Sequence, residues 1–175
     1  MHRGVRECAL VTLLAAGVFG FLHDADAQEA PRELLPPAGE HMVLRVHAKG
    51  DQIYTCNADG AKFAWTLKGP EAQLYDTHGK AFGKHFAGPS WKANDGSQIT
   101  GKAAANAASP DASAIPWLLV TVVSRSGEGV LARVTSVQRL NTKGGKAPAS
   151  GCDSAHAGRE VRAHYTADYV FFAPQ

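Results

Sequence analysis

Concentrated charge, helical periodicity and the common catalytic signatures are missing from this chain, and each absence removes a class of function. The 18 Lys and Arg are interspersed with 16 Asp and Glu, for a formal net charge of only +2. Nucleic-acid binding needs a focused basic field, so a nucleic-acid partner is not expected. No G-x-S-x-G, H-E-x-x-H or paired His-x-His is present, which removes the usual hydrolase and zinc signatures and leaves no metal site to assign. "GEGVLA" at 127–132 has the spacing of a loose dinucleotide fingerprint, but the residues after it are β-branched and strand-like instead of opening a helix. "GGKA" lacks the spacing of a phosphate loop, so no cofactor is implied.

Long apolar runs are also scarce. The only one, "ALVTLLAAGVFGFL", is too short to cross a bilayer as a helix. It follows Arg3 and Arg6 and precedes "ADA", the order of a secretory signal peptide, so residues 1–27 are expected to be removed by cleavage after Ala27. The product is then an exported protein, periplasmic or extracellular, and soluble rather than membrane-spanning. Cys8 precedes the apolar run, where no lipid-anchored cysteine can lie. Cleavage leaves 16 basic residues against 13 acidic ones and two cysteines, Cys56 and Cys152. In an oxidising compartment these two are expected to form one structural disulfide, since neither has the C-x-x-C or His spacing of redox or metal chemistry.

What remains is strand-like. "HMVLRVHA" sets Met42, Leu44 and Val46 on one face and Arg45 and His47 on the other, the period of two of a half-buried strand. "KG" then reads as a reversal into "DQIYTCN". "NADGAK" and "DTHGK" supply further turns, with "FAWTLK" and "EAQLYD" between them. "IPWLLVTVVS", "VLARVTSVQRL" and "HYTADYVFFA" add β-branched runs, and "NTKGGKAPASGCDSAHAG" reads as one long loop pinned by Cys152. About ten short strands with regular turns predict an all-β domain over residues 41–175, an antiparallel sandwich or partly closed barrel. Residues 28–40 form an extended lead-in.

The stretch with most chemistry is "GKHFAGPSWKANDG". It carries the ligand-binding candidates His85, Trp91, Asn94 and Asp95. Two readings compete. Trp91 is a stacking platform with His85 and Asn94 as polar partners for a sugar or small polar ligand. Alternatively Trp91 and Phe86 pack inward and "NDG" is a tight turn with Gly96 at positive φ. His41, His47, His78, His85, His156 and His164 are also candidate bases for a Ser/His/Asp site assembled only in space.

The runs "VLRVHAKGDQIYTCNADGAKFAWTLKGPEAQLYD", "GKHFAGPSWKANDGSQITGK", "IPWLLVTVVSRSGEGVLARVTSVQRLNTKGGKAPASGCD" and "YTADYVFFAP" resemble the domain of unknown function 3455 of secreted bacterial and fungal proteins. The resemblance implies a shared fold and export, and brings no catalytic residues. The expectation is therefore a non-catalytic small-ligand or glycan-binding β domain. The rivals are a hydrolase with a spatially assembled site and an envelope-associated interaction protein without a pocket.

Overall fold

The computed structural model describes Met1 and residues 29–175; the expected signal peptide lies outside the described residues. Eight antiparallel strands form a closed up-and-down barrel. They are β1 (Glu40–Asp59), β2 (Lys62–Tyr75), β3 (Ala81–Phe86), β4 (Ser90–Ala93), β5 (Gln98–Ala107), β6 (Trp117–Ser126), β7 (Ser136–Gly144) and β8 (Glu160–Pro174). Each strand pairs with its sequence neighbours, and β8 closes the ring on β1 from Glu40↔Pro174 to Thr55↔Glu160. Closure leaves no free sheet edge.

An expected reversal is absent and two pairs of expected strands are continuous. "HMVLRVHA" and "DQIYTCN" are one strand of 20 residues, with no hairpin at Lys49-Gly50. Gly50 stands in the strand because a Cβ there would lie 2.2 Å from the Glu71 carbonyl oxygen; the glycine permits close approach of β2 instead of a turn. "FAWTLK" and "EAQLYD" likewise fuse into β2, with the register shifting opposite Ile53/Tyr54 where Gly69 has φ 152°. Ten expected strands thus become eight. "VLARV" is not a strand either: Leu131 and Val134, both fully buried, fold into one end of the barrel as a plug. At Met42/Leu44 a register shift against β8 breaks the alternation and leaves Met42 exposed.

The interior follows the period of two. Val46 and Ala48 from β1, Leu74 and Ala72 from β2, Trp91 and Ala93 from β4, Val120 and Val122 from β6, and Tyr165, Ala167, Tyr169 and Phe171 from β8 form the main core. The exterior carries Arg45, Lys49, Glu71, Lys84, Lys92, Lys102, Arg162 and His164, all exposed. A charged outside around an apolar inside is the reverse of a membrane-spanning barrel. No helix among the described residues is long and apolar enough to cross a membrane.

A smaller cluster lies against the outer wall, where Leu34 packs with Trp117, Leu140, Val170 and Phe172. The lead-in is therefore part of the packed structure: Leu34 sits in a one-turn 3-10 helix (Arg32–Leu34), and its carbonyl accepts a hydrogen bond from Gln138 Nε2 at 2.6 Å. At the opposite end from the plug, the loop after β7 crosses the β1–β2 hairpin. The Cys56–Cys152 disulfide holds it there, joining residues 96 positions apart. Tyr54 Oη donates to the Gly145 carbonyl at 2.8 Å and Trp65 Nε1 to the Ser150 carbonyl at 3.0 Å. The covalent bond and these side-chain anchors, with backbone hydrogen bonds from Gly158 to Cys56 and from Cys56 to Arg159, thus fix the loop.

Candidate functional site

The four residues singled out from the sequence divide between the inside and the rim of the barrel. In "SWKA" the outward Lys92 forces its neighbours Trp91 and Ala93 inward, and Trp91 is 1 % exposed. The exposed-platform reading of Trp91 is thereby corrected: its ring is spent on the core. It stacks on His85 at 4.6 Å between centroids and meets Tyr169 and Phe171 edge-on at 5.4 and 6.1 Å. His85, opposite Trp91 in the β3–β4 register, is also buried. Its Nδ1 lies 2.8 Å from the Ser90 carbonyl, which can only accept, so Nδ1 carries the proton and Nε2 is the lone-pair nitrogen. Burial lowers the imidazole pKa to about 3 against the partial support of that carbonyl, and the ring is neutral at physiological pH. Phe86, next along β3, is only part-buried and takes the outer face, against the expectation that it packs inward.

Asn94 and Asp95 form the turn after β4, with Gly96 at φ 94° as the tight-turn reading requires. Asn94 Nδ2 donates to the Ala81 carbonyl at 2.9 Å. Asp95 Oδ1 accepts from the Ser97 amide and hydroxyl, and Oδ2 accepts from the Val130 amide at 2.8 Å. The Ser97 hydroxyl and then the Val130 amide hold this carboxyl below its usual range. Asp95 therefore ties the β4–β5 turn to the segment that carries the plug residue Leu131. Outside the wall, Asn94 shares a hollow of about 320 Å³ with Lys84, Phe86 and Lys92, beside one of about 410 Å³ reaching Gln73 and Arg162.

A larger cleft of about 510 Å³ lies elsewhere, on the outer face of β1. Arg45, His47 and Lys49 alternate with the inward Val46 and Ala48 and so point out in a row. The register places Tyr75 of β2 on one side of His47 and Asp168 of β8 on the other. His47 Nδ1 lies 3.0 Å from Asp168 Oδ1, and Asn141 Nδ2 donates to Oδ2 at 2.9 Å. Asn141 reaches the carboxylate from an irregular stretch of β7, where it has φ 52° and the β7–β8 register shifts. The Lys49 ammonium stands 5.9 Å from the Tyr75 ring centroid. The β2–β3 turn closes the far wall with Asp76, Thr77 and Gly79. Asp76 Oδ1 accepts from the amides of His78 and Lys80, both at 2.9 Å, and the Lys80 amide first of all keeps the carboxyl below its ordinary range.

Of the six candidate bases, His47, His156 and His164 face carboxylates, of Asp168, Asp153 and Asp51 respectively. Only the His47 pair lies in the large cleft, and its lining brings no serine or cysteine to the imidazole. Among the described residues no group of three or more His, Cys, Asp or Glu is arranged to hold a metal ion. Sequence reasoning placed His47 on the outer face but missed Tyr75 and Asp168 as its neighbours. The pairing that joins them spans 28 and 121 positions.

Searches of curated proteins and of solved structures return no match. A family model described as protein of unknown function (DUF3455) matches residues 37–173, nearly the whole barrel from the start of β1 to the end of β8. The chain belongs to that family.

Proposed function

We propose that this protein is an exported, non-catalytic binding domain that takes a small polar ligand or glycan in the cleft over β1. The observation that carries the reading is the make-up of that cleft. One aromatic ring, three outward basic side chains of a single strand and a carboxylate oriented by two donors surround a hollow of small-molecule size. Tyr75 offers a face for stacking and the polar groups offer direction. The disulfide supports export, since such bonds persist where thiols oxidise. The hollow beside Asn94 is a shallower second surface for the same ligand class, lined by Phe86 instead of Trp91.

The hydrolase reading draws on the His47–Asp168 pair, which has the geometry of a base with its orienting carboxylate. Acyl transfer also needs a nucleophile within hydrogen-bond reach of that base. Thr77 supplies the sole aliphatic hydroxyl of the lining. Binding is therefore the better account.

The test is a panel of neutral and acidic mono- and oligosaccharides titrated into isotope-labelled protein, with amide shifts mapped on the barrel. Shifts should converge on His47, Tyr75 and Thr77. Tyr75→Ala should weaken binding at least about fivefold, the loss of a stacking contact of roughly 1 kcal/mol or more, with the unfolding midpoint nearly unchanged. Perturbations confined to another face, or hydrolysis of a panel member that His47→Ala abolishes, would overturn the reading.

A further inference from the structure

We infer that the ligand of the β1 cleft is an anion, a carboxylate carried on a ring that lies over Tyr75; this rests on the binding reading above. The inference comes from which charges of the cleft are already engaged. Each oxygen of Asp168 has a donor, from His47 and from Asn141. Asp76 is tied into its own turn by two backbone amides. The cations differ. Among the described residues neither Arg45 nor Lys49 makes an ion pair or a side-chain hydrogen bond; Lys49 has only the Tyr75 ring beneath it.

What sets the cleft apart is that its two open cations, both on β1, flank an aromatic ring. On the outer wall Arg162 pairs with Asp51 at 3.0 Å and with Glu71 at 2.8 Å, and Lys68 with Glu160 at 2.7 Å, whereas among the described residues Lys84, Lys92 and Lys102 are open like the two cleft cations. Arg45 and Lys49 flank His47 on one strand, about 13 Å apart by strand rise. They stand on either side of the line that joins Asp168, His47 and Tyr75. A ring placed over Tyr75 therefore has a cation on each side, and its carboxylate meets donors that give up no existing ion pair. The guanidinium offers a planar, two-pronged match to a carboxylate and the ammonium a point charge that lifts from the tyrosine face as the ring arrives. A neutral ligand would accept hydrogen bonds from the two cations but gain no charge pairing with them.

The chemistry is shared by an acidic sugar and an aromatic acid, so three probes are used with the disulfide intact: an oligogalacturonate, its neutral galacto-oligosaccharide counterpart and benzoate. Affinity is measured by titration calorimetry and location by amide shifts. The oligogalacturonate or benzoate should bind at His47 and Tyr75, and whichever does so identifies the ring. Arg45→Met and Lys49→Met should each weaken it roughly three- to tenfold while leaving the unfolding midpoint in place, as expected for partly exposed charge pairs. Raising salt from about 50 to about 300 mM should weaken it further. If the neutral oligosaccharide binds the cleft as tightly, or the acid is insensitive to both substitutions and to salt, the anion inference is overturned and the binding reading survives. If no probe perturbs the cleft and the wider sugar panel is also silent there, both fail.

Discussion

At the scale of the residue, His85 shows how a polar group of the sequence becomes part of the core. Its ring is sandwiched between Trp91 and Tyr169, with centroid distances of 4.6 and 4.8 Å, and its Nδ1 proton is committed to the Ser90 carbonyl. The folded imidazole resists protonation down to about 3, whereas in the unfolded chain it titrates near 6.5. Between those values the unfolded state binds the extra proton, so acidification destabilises the fold and stability is regained as the pH rises to 6.5. From pH 6 to 5 the unfolding free energy should fall by about 1.2 kcal/mol through this residue. In His85→Gln, whatever its stability, that slope should flatten by the same amount when denaturant midpoints are compared across pH. An unchanged slope would place the imidazole in water. Trp91, stacked on this ring, carries a buried donor without a protein partner at Nε1.

At the scale of the element, the β1–β2 hairpin and the loop after β7 depend on one another. The loop carries Gly145, Ser150 and Cys152, and its contacts to Tyr54, Trp65 and Cys56 all fall on that hairpin. Polar loops bury too little apolar area to hold themselves down, so the covalent link supplies what packing does not. Removing it in the double variant Cys56→Ala, Cys152→Ala should cost about 2–5 kcal/mol in denaturant unfolding, and amide exchange should accelerate first in residues 145–152. Wild type in reductant should behave alike. A double variant as stable as wild type would show that hydrogen bonds alone hold the loop. Tyr75 and His47 lie far along both strands from this end, so binding at the cleft should survive the loss.

At the scale of the whole molecule, the barrel is assembled from consecutive strand pairs closed by the one distant pairing, β8 onto β1, and the N-terminal segment through Leu34 is built into its wall. On the proposed export, the segment ahead of the lead-in is removed and the bridge closes in the oxidising compartment. Intact mass of the exported protein should therefore correspond to residues 28–175 with both cysteines oxidised. A product retaining residues 1–27, or titrating two thiols under denaturing conditions, would remove export by this route. The sequence by itself determined the all-β class, the cysteine pairing and the alternation of Arg45 and His47 with Val46, because a period of two and a count of thiols are local or combinatorial properties; it misplaced Met42 and Phe86, where a register shift and the outer wall decide. It also held the sign that Trp91 points inward, in the lysine beside it. It did not determine that Lys49-Gly50 continues a strand, since a glycine serves a turn and a close strand crossing equally well and only the position of Glu71 decides between them. Nor did it reveal the cleft: Tyr75, His47 and Asp168 become neighbours through register across three strands, and register is fixed by closure of the barrel.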